Sequence, residues 1–174
     1  MRELEHDVNG PGTCIQFVQR TTQATYIEVT AGTGCHSIVG YNNHGKQEVS
    51  IGSGCEAKGI IMHELIHSLG FWHEHNRVDR DSYINIDLHN VQTSSQHDFT
   101  ITTTAKATTL NTAYDFNSIM HYSPYTFAVD KLKPVITPKP GKAPVNARLG
   151  QRINLSPTDV LKIQRLYGCH EGKL

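Results

Sequence analysis

Charge of a preferred sign is the first thing this sequence does without. Sixteen Lys+Arg balance sixteen Asp+Glu, so the formal net charge is zero. Such a balance builds no long-range field to draw a polyanion, which sets aside nucleic acid and anionic membrane surfaces as partners. No run of about 18 apolar residues occurs to span a bilayer. The opening MRELEHDVNG lacks the apolar core of a secretory leader. No two cysteines form a CxxC pair, which removes a thiolate zinc ribbon. Internal repeats and low-complexity tracts are absent too.

What remains is globular in composition, with 37% hydrophobic and 18% charged residues. The length of 174 residues suits one domain, with room for two lobes around a cleft. Four cysteines stand far apart at Cys14, Cys35, Cys55 and Cys169. An even, dispersed set suits two disulfides in an oxidising compartment, and three pairings are open. One of the three joins Cys14 to Cys169, tying the ends together, and leaves Cys35 with Cys55. Four buried free thiols are the alternative. The expectation is a secreted protein whose targeting segment is not part of this stretch.

Along the chain, residues 1–7 read as the end of a helix closed by NGPG at 9–12. Strand-like runs follow at 14–20, 26–30, 36–41 and 47–51, by alternation or β-branched enrichment. From 56 to 69 the period changes: Ile60, Ile61, Leu65, Ile66 and Leu69 mark a helical face, and Gly70 stops it. The stretch 92–112 is rich in Thr, Ser and Asn. Four prolines keep 133–144 from being a regular central element. A last helix spans 155–168, with Ser156 as cap, Pro157 in its first turn and Gly168 as stop. The picture is an α+β fold: a mixed sheet with one central helix, then an irregular lobe pinned by a final helix.

The central helix carries HELIHSLGFWHEH from 63 to 75. His63 and His67 are four residues apart, so both imidazoles face the same way, one turn apart, and can meet one ion. Glu64 lies beside the first of them and can reach a metal-bound water without being a ligand. A straight helix would carry His73 away from the pair. Gly70 can adopt positive φ, end the helix and let the chain turn back. Three histidines with one position left for water is the pattern of a catalytic zinc. A polar helix face is the alternative.

HExxHxxGxxH is the metzincin signature. The longer string HELIHSLGFWHEHNRVDRDSYINI resembles the astacin family of secreted metalloendopeptidases. YDFNSIMHYSPYTF (114–127) resembles that family's Met-turn, and LGQRINLSPTDVLKIQRLYGC (149–169) its C-terminal helix and last cysteine. TCIQFVQRT (13–21) and the SGC ending at Cys55 also fit. The resemblance covers nearly the whole chain and implies a single catalytic domain over 1–174. Its metzincin-type fold would have two lobes, about 1–72 with a twisted mixed sheet and the active-site helix, and about 73–174 with the final helix.

By that resemblance His63, His67 and His73 hold one zinc ion and Glu64 is the general base. Met120 lies under the metal, and Tyr122 is a mobile tyrosine that serves as a fifth ligand and stabilises the oxyanion. The pairings implied are Cys14–Cys169 and Cys35–Cys55. A polypeptide substrate would bind extended along an edge strand at 47–51, and Arg152 would favour an acidic residue after the cut, the alternative being an exposed arginine without that role. The domain would be a monomer. His36, His44, His89, His97 and His170 read as surface residues, and His75 and His121 as structural partners rather than ligands. The sequon at Asn154 is discounted because Pro157 follows it.

The family has a first strand and most of a helix before the position of Met1. Its mature N-terminus meets the glutamate after the third histidine, here Glu74. Without that partner Glu74 is expected to be exposed or to meet another group. The function implied is a secreted zinc endopeptidase; the alternative is a zinc-binding, inactive protein-interaction domain.

Overall fold

A six-residue strand, β3 (Lys46–Ile51), lies at the centre of the first sheet in the computed structural model, which describes residues 1–10 and 12–169. It pairs in parallel with β1 (Tyr26–Thr30), from Tyr26 opposite Lys46 to Thr30 opposite Ser50. On its other side it pairs antiparallel with β2 (Cys35–Ser37), with Cys35 opposite Ile51. Gln47, Val49 and Ser50 are accordingly buried, and the Gln47 amide donates to the Gly40 carbonyl at 2.8 Å. This placement corrects the expectation that 47–51 is a free edge above a substrate. The ladder with β1 runs along 46–50 on one side, and the ladder with β2 takes 49–51 on the other. The antiparallel edge belongs to β2, whose only ladder partner among the described residues is β3.

The run 14–20 alternates like a strand yet joins no ladder. The backbone of Cys14, Ile15 and Phe17 is bonded locally instead. The Asn9 side chain accepts from the amides of Cys14 and Ile15 and donates to the Ile15 carbonyl. The carboxylate of Glu5 accepts from the Phe17 amide, which pulls that carboxyl below its usual range. Side chains of α1 (Arg2–Asn9) thus take the place of a neighbouring strand.

Helix α2 (Lys58–Ser68) is buried nearly all round from Met62 to Ser68. The apolar face expected from its sequence is therefore only part of its packing; Ile60 and Ile61 are not among its fully buried residues. Its first turn touches backbone directly. A Cβ placed on Gly59 would stand 1.9 Å from the Arg152 carbonyl oxygen. Gly59→Ala is expected to lower the melting temperature by about 4–10 °C, the effect of roughly 1–3 kcal/mol of overpacking in a chain this size. An unchanged melt would mean that this contact is not tight in solution.

The protein clusters into two compact units, Met1–Phe71 with Arg152–Leu174, and Trp72–Gln151. Helix α3 (Pro157–Leu166), expected to close the second lobe, therefore belongs with the first sheet. The reasons are covalent and local. Cys14 is bonded to Cys169, α3 packs on α1, and the Gln164 amide donates to the Val8 carbonyl at 2.7 Å. Ser156 caps α3 as expected, in a reciprocal box with Asp159. The second disulfide joins Cys35 to Cys55. The two pairings match those implied by the resemblance, and no described cysteine is free.

The unit Trp72–Gln151 has little regular structure. Strands β4 (Ile84–Ile86) and β5 (Ile136–Pro138) form a two-stranded antiparallel sheet. The proline-rich stretch thus yields a three-residue strand, tolerated because Pro138 sits at its end. A core of Ile84, Val91, Phe99, Tyr114, Phe116, Ala128, Val135 and Ile136 holds this unit together. No helix among the described residues is long and apolar enough to cross a membrane.

Candidate metal centre

His63 and His67 face each other across one turn of α2, with their Nε2 atoms 3.1 Å apart and their rings edge to face. Two nitrogens each about 2.0–2.1 Å from one tetrahedral ion would be about 3.4 Å apart, so the pair is close to a ligand geometry already. The tautomer of His67 follows from its other nitrogen. Nδ1 lies 2.7 Å from the Phe71 carbonyl. A carbonyl only accepts, so Nδ1 carries the proton and the Nε2 lone pair faces His63. Burial pushes the His67 imidazole down to about 4, against the Phe71 hydrogen bond and with help from the charge of Arg152. At neutral pH His67 is therefore the neutral imidazole that a metal requires.

The chain then turns sharply. Gly70 takes φ +104°, its amide donates to the His67 carbonyl, and the Phe71 amide donates to the Ile66 carbonyl. These two bonds form a Schellman end, which needs a residue free to adopt positive φ. His73 follows three residues later. The ligand nitrogens of His63, His67 and His73 all lie within 4.8 Å of one another. Three imidazoles with no thiolate, two of them buried, suit zinc with a position left over.

Glu64 is 5% exposed. Burial raises its carboxyl to about 7, and the nearby Arg152 opposes the rise. A group that titrates near neutrality can both take and return a proton at working pH. Arg152 is half-buried, and its charge is felt at both Glu64 and His67.

Beyond His73 the chain enters a short 3-10 turn, Glu74–Asn76. Glu74 is 3% exposed, so of the two expectations for it, exposure is the one that fails. Its carboxylate accepts from Arg77 at 3.2 Å and from the Asp115 amide at 2.9 Å. Arg77 in turn grips Asp79 with two nitrogens. The Glu74 amide donates to the Met120 carbonyl, which ties the residue after His73 to the tight turn around Met120. Met120 is itself buried, and its amide donates to the Ser118 hydroxyl.

Tyr122 lies against His73, ring centroids 4.4 Å apart. His121 is fully buried with both nitrogens assigned by their partners. Nδ1–H donates to the Tyr122 carbonyl, and Nε2 accepts from the Tyr114 hydroxyl. Burial raises the Tyr114 phenol well above its ordinary range, so it stays a donor. His75 is also fully buried and stacks on Tyr122. Spacing alone could not reveal that stack, because 75 and 122 meet only through the fold. His36, His44, His89 and His97 are exposed, and His170 lies outside the described residues.

The chain matches the family model Astacin, which describes a family of peptidases, over residues 7–168. It is 41% identical to Meprin A subunit alpha of Rattus norvegicus over 156 residues, which covers 90% of this chain and 20% of that protein. It is also 41% identical to Blastula protease 10 of Paracentrotus lividus, covering 91% of this chain and 27% of that protein. Among solved structures, High choriolytic enzyme 1, a hatching enzyme zinc-protease from Oryzias latipes, superposes with a TM-score of 0.86 at 41% identity. It covers 97% of this chain and 81% of that one. The chain therefore spans about a fifth to a quarter of the curated relatives named here.

Proposed function

This chain belongs to the astacin family of peptidases, and we propose that it is the catalytic domain of a secreted zinc endopeptidase. Its fold is the α+β metzincin type. The observation that carries the proposal is the convergence of three imidazole ligands, with the buried carboxyl of Glu64 beside the first of them in the chain. The two disulfides fit an extracellular setting.

His63, His67 and His73 would hold the zinc ion. Bound there, zinc would supply Lewis acidity and ease the ionisation of water. Glu64 takes the proton from the attacking water and hands it to the leaving amine nitrogen. The Tyr122 phenol donates to the oxygen of the scissile carbonyl as negative charge gathers on it. The Phe71 carbonyl fixes the tautomer of His67, and Met120 and Glu74 fix the chain on the far side of His73. Arg152 attracts an acidic side chain of the polypeptide, which binds extended.

An unfolded protein substrate distinguishes this activity from others. Incubation with the purified chain is expected to release fragments cut at internal peptide bonds, mapped by mass spectrometry. A zinc chelator is expected to stop the release, and added zinc to restore it. Cleavage confined to chain ends, or unaffected by the chelator, would sink the proposal.

A further inference from the structure

We infer that His75 is a positioning residue for the reaction: its imidazole is the fixed wall against which the ring of Tyr122 is held. The inference rests on the reading of Tyr122 as the phenol that donates to the substrate.

The two rings are stacked face to face, with centroids 4.0 Å apart and planes 28° from parallel. Phe99 and Phe127 meet the Tyr122 ring edge on, at 5.8 and 5.9 Å. His73, the third ligand, touches it at 4.4 Å and a tilt of 52°. Tyr122 thus meets four rings, and of these four contacts the one with His75 is a stack on its face.

The wall itself has little freedom. His75 is 0% exposed, and its Nε2 lies 3.1 Å from the Asp98 carbonyl, to which it must donate. The Asn76 amide donates to the same carbonyl at 2.7 Å and to the Thr100 carbonyl at 2.8 Å, which fixes that anchor. Arg80 donates to the backbone carbonyl of His75 at 3.1 Å. Nδ1 of His75 is buried and has no hydrogen-bond partner among the described residues. One nitrogen is left unsatisfied while the other is anchored, so the ring's use here lies in its flat face and its one fixed bond.

The phenol oxygen is far from its backbone hinge. A swing of about 30° about the Cα–Cβ bond displaces the hydroxyl by roughly 3 Å, and misplacement by about 1 Å already costs on the order of 100-fold in rate. Restraint of the ring is therefore restraint of the donor.

The test is a double-mutant cycle on the zinc-loaded protein, with His75→Leu and Tyr122→Phe alone and together. His75→Leu removes the flat face and is expected to lower kcat about tenfold with KM within about twofold, since the substrate contacts are untouched. With the hydroxyl already gone in Tyr122→Phe, His75→Leu should lower kcat by less than about twofold more. His75→Phe restores the face and should recover most of the loss. A second readout needs no activity. Nitration of Tyr122 in metal-free protein, followed by peptide mapping, should be faster in His75→Leu than in wild type and slow again in His75→Phe. If His75→Leu fails to fold, His75→Gln, which keeps an N–H donor and loses the ring, takes its place.

Losses that multiply in the double mutant, or equal nitration rates in wild type and His75→Leu, overturn the inference alone. A Tyr122→Phe protein with wild-type kcat overturns the reading of Tyr122, and the inference with it.

Discussion

Replacing Glu64 by glutamine is expected to lower kcat/KM for peptide hydrolysis by about 10²–10⁴-fold while zinc stays at one ion per chain. Glutamine has the shape of the carboxyl and fills the same buried place, so no cavity opens. It cannot take a proton from water, which is the step assigned to Glu64. The metal should remain because the three imidazoles are untouched and His67 keeps its bond to the Phe71 carbonyl. The fold should hold as well. Burial disfavours the ionised form of Glu64, so a neutral amide there removes a strain on the folded state. Steady-state kinetics and metal analysis on the same preparation check both halves. A wild-type rate would remove Glu64 from the chemistry. Loss of zinc together with activity would make it a support of the metal instead.

Removing the Cys14–Cys169 bond, with both cysteines changed to serine, is expected to destabilise the protein by about 5 kcal/mol. The bond closes a loop with a sequence separation of 155. On the chain-entropy account the cost of leaving that loop open grows with its length, and for Cys35–Cys55, separated by 20, it is about 3 kcal/mol. A domain of this size has only about 5–15 kcal/mol in total, so the first loss is of the order of the whole. The local setting adds to it. The segment 14–20 joins no ladder and depends on Asn9 and Glu5, and α3 reaches α1 beside the bond. Thermal melts of the two double-serine variants should show a drop of about 10–20 °C for the first pair and a smaller one for the second. Equal drops would mean that loop length does not set the effect.

The three-histidine cluster was far more legible in the sequence than the sheet. Ligands four and six residues apart are fixed by one helix and one glycine, and local geometry does the work, so the motif at 63–73 could be read directly. Strand pairing is not local. The run 47–51 has the same alternation whether it lies at an edge or in the middle, and only the two ladders on β3 settle the matter. The run 14–20 looked like a strand because its pattern is one, but side chains of α1 claim its backbone groups. Ser156 was readable because a cap is decided by four consecutive residues. Placement of α3 beside the first sheet was not, because it depends on a disulfide spanning nearly the whole chain. Glu74 shows the same limit. Arg77 stands only three residues on, but nothing near Glu74 in the sequence points to the Asp115 amide that closes around it.

A zinc titration into metal-free protein, with proteolysis followed at each addition, bears most directly on the central reading. Activity should rise linearly and saturate at one equivalent per chain, and a His73→Ala chain should fail to reach that endpoint. Proteolysis that is full before zinc is added, or that ignores one bound equivalent, would contradict a catalytic zinc held by His63, His67 and His73.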